Sequence, residues 1–225
     1  MNDLAVVVPI YISNEKDIIF ETLRNIRNQV DCKIYVPWNG KDGDEKNIIK
    51  QISLLATPLY VEKSRSKAEN LNAFLDFIPP EIKYIVILDA DSRPKEKCIS
   101  ILYHKIKNTP PEIGWIQGNY SVNRGKNRIV VDLDESENRL ACKLEKILSS
   151  NASFKGHDAI FKREVLEKAD GFNPNCLLED KDLTMRLHKL GFSGQREENY
   201  KSSSEACPTW KDFFRQRSRW IQGGT

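Results

Sequence analysis

The sequence of 225 residues is short of long apolar runs, paired cysteines and concentrated charge, and each shortage removes a class of protein. Its first apolar stretch, Leu4 to Ile12, is nine residues long and follows only Met-Asn-Asp. That is too short for a membrane span and lacks the basic start of a signal peptide, so the chain as written reads as soluble. Five cysteines at 32, 98, 142, 176 and 207 form no CxxC pair and no Cys/His cluster. Neither a structural zinc site nor a local disulfide framework follows, and the scatter fits a reducing cytosol. The formal charge of +3 is mild, and the basic residues are dispersed until the last dozen positions, which excludes nucleic acid as a partner. Residues 9 to 15 contain no glycine, so no Gly-rich phosphate loop follows the first strand. With no repeat and no low-complexity segment, 40% hydrophobic and 30% charged residues suit one well-buried α/β domain.

What is present is an alternation of strands and helices. Leu4 to Val8 is a continuous β-branched run, the pattern of a parallel strand covered on both faces, and Pro9 confines its end. Ile19, Leu23, Ile26 and Val30 recur at helical spacing after Ser13-Asn14, which can cap that helix. Lys33 to Val36 and Leu59 to Val61 read as strands, and Ser66 with Glu69 forms a capping box for a helix that Pro79-Pro80 ends. Tyr84 to Leu88 is the clearest strand. The order predicts a doubly wound, mostly parallel sheet of Rossmann type, with ligands at the carboxyl ends of its strands. Further on, Gly114 to Asn123 reads as a strand, Tyr120 to Asp134 as a mobile loop around Gly125, and Glu135 to Ser150 as a helix. Phe154 to Phe161 reads as a strand leading into a helix, and Lys181 to Leu190 as a helix stopped by Gly191.

Three clusters carry candidate chemistry. Asp89 and Asp91 are two apart on an extended segment, so both carboxylates can address one hard cation, Mg²⁺ or Mn²⁺, bridged to a diphosphate; turn chemistry places the same pattern at strand ends. Glu179-Asp180 opens a helix, where acidic residues serve the cap and dipole, or where Asp180 acts as a general base near a bound sugar. Gln216, Arg219 and Trp220 share a helix face that presents a guanidinium and an indole together. Trp210, Phe213, Phe214 and Ile221 form a neighbouring apolar face, read as core packing before a membrane surface. Lys67 and Asn72 either reach a nucleotide from their helix or are solvated, and His157 is either a pocket residue or a satisfied structural histidine.

Taken in order, these pieces resemble the inverting glycosyltransferases of family 2, in the branch of cellulose, chitin and hyaluronan synthases. The carriers are Pro9-Ile10-Tyr11 with Glu15, Ser66 to Asn72, Asp89-Ala90-Asp91, Gly156 to Phe161, Glu179-Asp180 and the final Gln216-x-x-Arg219-Trp220, across essentially the whole chain. The resemblance implies a single GT-A (Rossmann-like) domain, 1–95 forming the nucleotide-binding half and 96–225 the acceptor-binding and catalytic half. It implies a nucleotide-diphosphate sugar donor, UDP-linked before GDP-linked, and a divalent cation held chiefly by Asp91, with Asp89 nearer the ribose. Asp180, with Glu179 beside it, is then the base of a single displacement that converts an α-linked donor to a β-linked product. Pro9, Tyr11, Glu15, Asn39, Asp42, Lys67, Asn72, Asp89 and Ala90 fall on the nucleotide side. Gln216, Arg219 and Trp220 clamp the diphosphate and acceptor, and Gly156, His157 and Asp158 line the acceptor side.

Two departures accompany the resemblance. Family members carry one or two aspartates after the second strand for the nucleobase, where this chain has Trp38-Asn39-Gly40-Lys41-Asp42; an Asn39 amide still offers donor and acceptor. Polymer-forming relatives add transmembrane helices, whereas this sequence stops at Gly223-Gly224-Thr225. The expectation is a fragment of a membrane-associated enzyme of polysaccharide or glycolipid synthesis, at the cytoplasmic membrane face, acting on a saccharide or lipid-linked acceptor. The alternative is a sugar-nucleotide-binding module without turnover.

Overall fold

Alternate side chains of the first strand define two cores. Leu4, Val6 and Val8 enter one hydrophobic cluster and Ala5 and Val7 the other, all fully buried, as a strand covered on both faces requires. The structure is a computed structural model and describes residues 1–149 and 151–223. In chain order its elements are β1 (Leu4–Val7), β2 (Ile10–Tyr11), α1 (Ile12–Glu15), α2 (Ile19–Arg27), β3 (Lys33–Asn39), α3 (Glu45–Ile52), β4 (Thr57–Tyr60), α4 (Lys67–Phe77) and β5 (Tyr84–Ile87). There follow β6 (Arg93–Pro94), α5 (Cys98–Lys107), β7 (Ile113–Arg124), α6 (Arg128–Leu148), β8 (Ala159–Lys162), α7 (Arg163–Lys168), α8 (Glu179–Lys189), β9 (Ser193–Glu205) and α9 (Trp210–Gly223).

The described strands form one sheet in the order β2-β3-β1-β5-β8-β7-β9-β6, with β4 added to β3. β4, β3, β1 and β5 run parallel, so the chain after each of β1, β3 and β5 emerges at the same edge. β8 is antiparallel to both β5 and β7, and β7 and β9 pair in parallel. Helices α2, α3 and α5 bury Leu23, Ile48 and Leu102 on one face, while α4 and α8 bury Phe74 and Leu187 on the other. α4 starts where expected: the Ser66 hydroxyl accepts from the Glu69 amide at 3.2 Å, while the Glu69 carboxylate takes the Arg65 amide rather than that of Ser66.

Several sequence expectations shift. Ser13 caps no helix; its hydroxyl donates to the Lys41 carbonyl at 2.6 Å, and α2 begins at Ile19 without a side-chain cap. The segment 120–134 is not a loop. Tyr120 to Val122 pair with Ser202 to Ser204, and the Asn127 side-chain amide oxygen caps α6 by accepting from the Ile129 and Val130 amides. α6 therefore starts seven residues before Glu135 and ends at Leu148, with Ser150 outside the described residues. Of the strand expected over 154–161, only Ala159 onward pairs, because Gly156 (φ 87°) and Asp158 (φ 52°) turn the chain through left-handed backbone. β9 has no counterpart in the expectation. Trp210, Phe214 and Ile221 are exposed, so core packing holds for Phe213 alone.

β9 enters the sheet through a close approach. A Cβ on Gly194 would lie 2.4 Å from the Ala152 carbonyl oxygen and 2.3 Å from the Trp115 ring. Gly194→Ala therefore lowers stability by about 1–3 kcal/mol, read by urea denaturation; an unchanged midpoint would show that the β7–β9 seam is looser than described.

Candidate functional site

The parallel strands deliver their successors to one edge, and a cleft of about 950 Å³ opens there. Pro9 and Tyr11 after β1, Asn39 at the end of β3, Lys67 at the start of α4, and Asp89 and Asp91 after β5 form one wall. Gly156 and His157 before β8, Glu179 and Asp180 opening α8, and Gln216, Arg219 and Trp220 of α9 form the other. Seven separate chain segments thus converge on one cleft.

Asp89 lies in a tight turn, where the Ser92 amide donates to its carbonyl at 3.0 Å, so the turn and the cleft coexist. Its carboxylate pairs with the Lys67 ammonium, which also donates to the Gly156 carbonyl at 2.9 Å. Burial works to raise the Asp89 carboxyl, but Lys67, His157 and Arg219 outweigh it and hold it below the usual range. Asp91 goes the other way. Burial and then the Asp89 charge push its carboxyl up, although one oxygen accepts the Glu205 amide at 2.7 Å. Glu15 also faces the cleft and accepts from the Tyr11 amide at 2.5 Å; burial raises its carboxyl to about 7. Glu179 is raised by burial as well. The cleft therefore gathers more carboxylate than its own cations neutralise.

His157 is held from behind. Its Nδ1 lies 2.7 Å from the Asp158 carboxylate, which also accepts from Tyr200 and, at 3.3 Å, from Ser92. The imidazole packs on the Tyr120 ring at 4.4 Å. Burial disfavours its charge, but Asp89 and Asp158 prevail and raise it to about 9. On α9, the Gln216 amide oxygen accepts from Cys207 and Arg217, and Arg217 pairs with Asp134 and Glu137 of α6 while its guanidinium stacks 4.4 Å from the Trp220 ring.

Four expected site residues do not reach the cleft. Asp158 is fully buried and supports the site from behind, through His157 and Ser92. Ala90 is buried, and its carbonyl accepts from Thr22 and Arg93. Asn72, five residues after Lys67 on α4, turns away and clips the backbone N–H and C=O of Phe172, both at 2.8 Å. Asp42 is engaged by Lys16 at 2.9 Å. Asn39 does line the cleft, but its amide donates to the Ser64 carbonyl at 2.8 Å and accepts from Asn70 at 2.9 Å, which leaves it a strut of the cleft wall. Sequence reasoning missed Arg65, Tyr120, Glu205 and Arg124, whose guanidinium donates to the Asp91 carbonyl. All but Arg65 depend on the β7–β9 pairing.

Parallel βα units joined to an antiparallel-containing second half, with the cleft at their shared edge, make this a GT-A fold. The structure superposes on the mannosyltransferase PcManGT from Pyrobaculum calidifontis, in complex with GDP-Man and Mn²⁺, with a TM-score of 0.75 at 23% identity over 98% of this chain and 61% of that one. Glucosyl-3-phosphoglycerate synthase from Mycobacterium tuberculosis, in complex with Mn²⁺, UDP and glucosyl-3-phosphoglycerate, superposes with a TM-score of 0.61 at 17% identity, covering 97% of this chain and 76% of that one. Residues 84–225 match the model of Glycosyl transferase family group 2, and the chain belongs to that family. It is 26% identical to the probable glycosyltransferase YdaM of Bacillus subtilis (strain 168) over 98% of this chain and 54% of the relative. It is also 22% identical to the poly-beta-1,6-N-acetyl-D-glucosamine synthase of Staphylococcus aureus (strain MSSA476), over 94% and 52%. The chain thus spans about half the length of these two curated relatives.

The His157 charge is measurable. Because the imidazolium is favoured in the folded state, its contribution to stability is complete below pH 6.5 and is lost as pH rises through about 9. In the metal-free protein the His157 ring-proton resonance should titrate near pH 9, and Asp158→Asn should bring the midpoint down; a parent midpoint near 6.5 would contradict the arrangement.

Proposed function

We propose that this chain transfers a sugar from a nucleotide-diphosphate donor to an acceptor hydroxyl, with inversion to a β-glycosidic bond. The observation that carries the reading is the convergence of Asp89, Asp91 and Asp180 with Lys67, His157 and Arg219 in one cleft at the carboxyl edge of the sheet. Such a site matches a ligand with a charged diphosphate at one end and a reacting sugar at the other.

The residues present fit a divalent cation. Among the described residues no group of three His, Cys, Asp or Glu side chains gathers as a metal cage. Mg²⁺ and Mn²⁺ at a diphosphate need only one or two carboxylates, the rest coming from phosphate and water. Asp91, pushed up by burial and by Asp89, is the carboxylate a cation would relieve, so Asp91 with Asp89 would hold it. When bound, the ion supplies positive charge to the departing diphosphate.

The chain's own residues supply the rest. Asp180 takes the acceptor hydroxyl proton as that oxygen bonds to the anomeric carbon, while the bond from that carbon to the phosphate oxygen breaks and its electron pair leaves with the diphosphate. Arg219 and the His157 imidazolium meet that charge, and Trp220 closes over the sugar. Tyr11, Asn39 and Arg65 form the base-side wall. We read the acceptor as a saccharide or lipid-linked hydroxyl and the working place as the cytoplasmic face of a membrane. No helix among the described residues is long and apolar enough to cross one.

Asp180→Asn should lower sugar transfer by about 10²-fold or more while manganese-dependent nucleotide binding, read by calorimetry against UDP and GDP, persists. Arg219→Ala should cost about 10²–10³ in kcat. Undiminished turnover in Asp180→Asn would remove that residue from the mechanism. Nucleotide binding with neither transfer nor donor hydrolysis in the parent chain would instead support the binding-module reading.

A further inference from the structure

The turn that carries Asp89 and Asp91 is held at every carbonyl from Asp89 to Ser92. Asp89 accepts from the Ser92 amide, Ala90 from Thr22 and Arg93, and Ser92 from Arg93 at 3.1 Å. Those donors all lie before residue 95. The Asp91 carbonyl differs. Its donor is the Arg124 guanidinium at the end of β7, which also donates to the Ser203 carbonyl at 3.3 Å. The Asp91 side chain is held from the same place: one carboxylate oxygen accepts the Glu205 amide at 2.7 Å, and the Glu205 carboxylate pairs with Arg124 at 3.3 Å. Asp91, Arg124 and Glu205 thus close a ring that fixes both the main chain and the side chain of one aspartate to the ends of β7 and β9.

The local backbone is irregular where the ring forms. Val122 pairs with Ser204 and Arg124 with Glu205, so two residues of β7 advance against one of β9, and Asn123 is the extra one. A bulge of this kind twists the strand end and re-aims the side chain beside it. Arg124 suits the position because its planar fork reaches two carbonyls and a carboxylate together, which a single ammonium does not. Its Nε is buried with no partner among the described residues, a cost that packing of the strand does not explain. Glu205 offsets the guanidinium charge, so the arginine can stand behind Asp91 without strongly opposing a cation there. The second Asp91 carboxylate oxygen has no hydrogen-bond donor among the described residues.

We propose that Arg124 and Glu205 are positioning residues of the cation site. Arg124 fixes the Asp91 backbone, the Glu205 amide takes one carboxylate oxygen, and the other oxygen is left for Mg²⁺ or Mn²⁺. Both residues act through Asp91. Partners of this kind change metal affinity by about 10–100-fold. The inference rests on the reading of Asp91 as the cation's carboxylate and does not require sugar transfer. It makes the β7–β9 pairing the support of a site whose carboxylates come from the turn after β5.

The test measures how Mn²⁺ strengthens the binding of UDP and of GDP to the intact chain, with the same titrations in EDTA as the metal-free reference. In Arg124→Ala the Mn²⁺ concentration that gives half of the strengthening should rise by about tenfold or more, while nucleotide affinity in EDTA stays at the parent value. Arg124→Lys keeps the charge without the fork and should behave like Arg124→Ala. Glu205→Gln keeps the main-chain donor and should shift the midpoint less. The deciding measurement is a double-mutant cycle: once Asp91→Asn has weakened the metal effect, adding Arg124→Ala should change it by less than about twofold. Circular dichroism checks the fold, and Arg124→Lys carries the test where Arg124→Ala does not fold. An unshifted midpoint in both Arg124 variants would overturn the proposal. So would an equal loss of affinity in EDTA, which marks a merely structural arginine, or full additivity with Asp91→Asn, which places its action elsewhere. A parent chain whose nucleotide affinity ignores Mn²⁺ would overturn it too. Manganese-linked binding that follows the cycle, in a chain with no transfer or donor hydrolysis, would sink the sugar-transfer reading and support the positioning role.

Discussion

The contact on which the site depends is the Lys67 ammonium between the Asp89 carboxylate and the Gly156 carbonyl. It ties the first turn of α4, the end of β5 and the loop before β8, three segments from both halves of the sheet. An ion pair at a cleft wall adds little stability by itself, because desolvation offsets much of the attraction. Its value is positional. Remove the ammonium and Asp89 is left beside Asp91, Glu179 and Asp180 with a large part of its compensating charge gone. Asp89, Glu179 and Asp180 in turn raise the Lys67 ammonium against the lowering effect of its burial, so the cation stays charged and the loop at Gly156 stays fixed.

The same electrostatics distinguish the two aspartates that sequence spacing alone leaves equivalent. Asp89 is compensated by Lys67, His157 and Arg219, whereas Asp91 has the Glu205 amide and a smaller contribution from His157, which burial and its neighbour's repulsion outweigh. One carboxylate is therefore a fixed anion of the framework and the other is short of a cation. His157 makes the complementary case: the Asp89 charge, with the buried Asp158 carboxylate anchored by Tyr200, keeps a cation in place that solvent would otherwise release near neutrality. These groups work as one network, and single substitutions within it will not add.

Much of the fold was legible because it rests on local signals. Continuous β-branched runs marked β1 and β5, and the Ser66–Glu69 spacing marked the start of α4. β9 was not legible. Its sequence, Ser193 to Glu205, is polar apart from the buried Tyr200, and it becomes a strand by pairing with β7 and burying Glu197, Ser202 and Ser204 in the sheet. Long-range pairing of this kind leaves no periodic trace, and with it went Arg124, Glu205 and the true extent of β7. The misplaced site residues have local explanations. A five-residue step along α4 rotates Asn72 by about 140° from Lys67, and the left-handed backbone at Asp158 sends its side chain beneath His157 rather than into the cleft.

α9 shows how a helix can carry a site without belonging to the main core. Its cleft residues stand on a cluster of only four buried side chains, Val130, Val131, Ala206 and Phe213, reinforced by Arg217. α4, by contrast, presents Lys67 from a helix whose Ala68, Leu71 and Phe74 belong to the large cluster beneath the sheet. Opening free energy follows buried apolar contact, so the wall made by α9 opens at lower cost than the wall made by α4 and β5. At its far end Gly223 lies so close to Leu178 that an added Cβ would come within 2.6 Å of the Leu178 side chain, which couples the helix to the start of α8 and so to Glu179 and Asp180. A displacement of α9 thus bears on Arg219 and on Glu179 and Asp180 together, and anything that binds only the closed arrangement of α9 and α8 stabilises it.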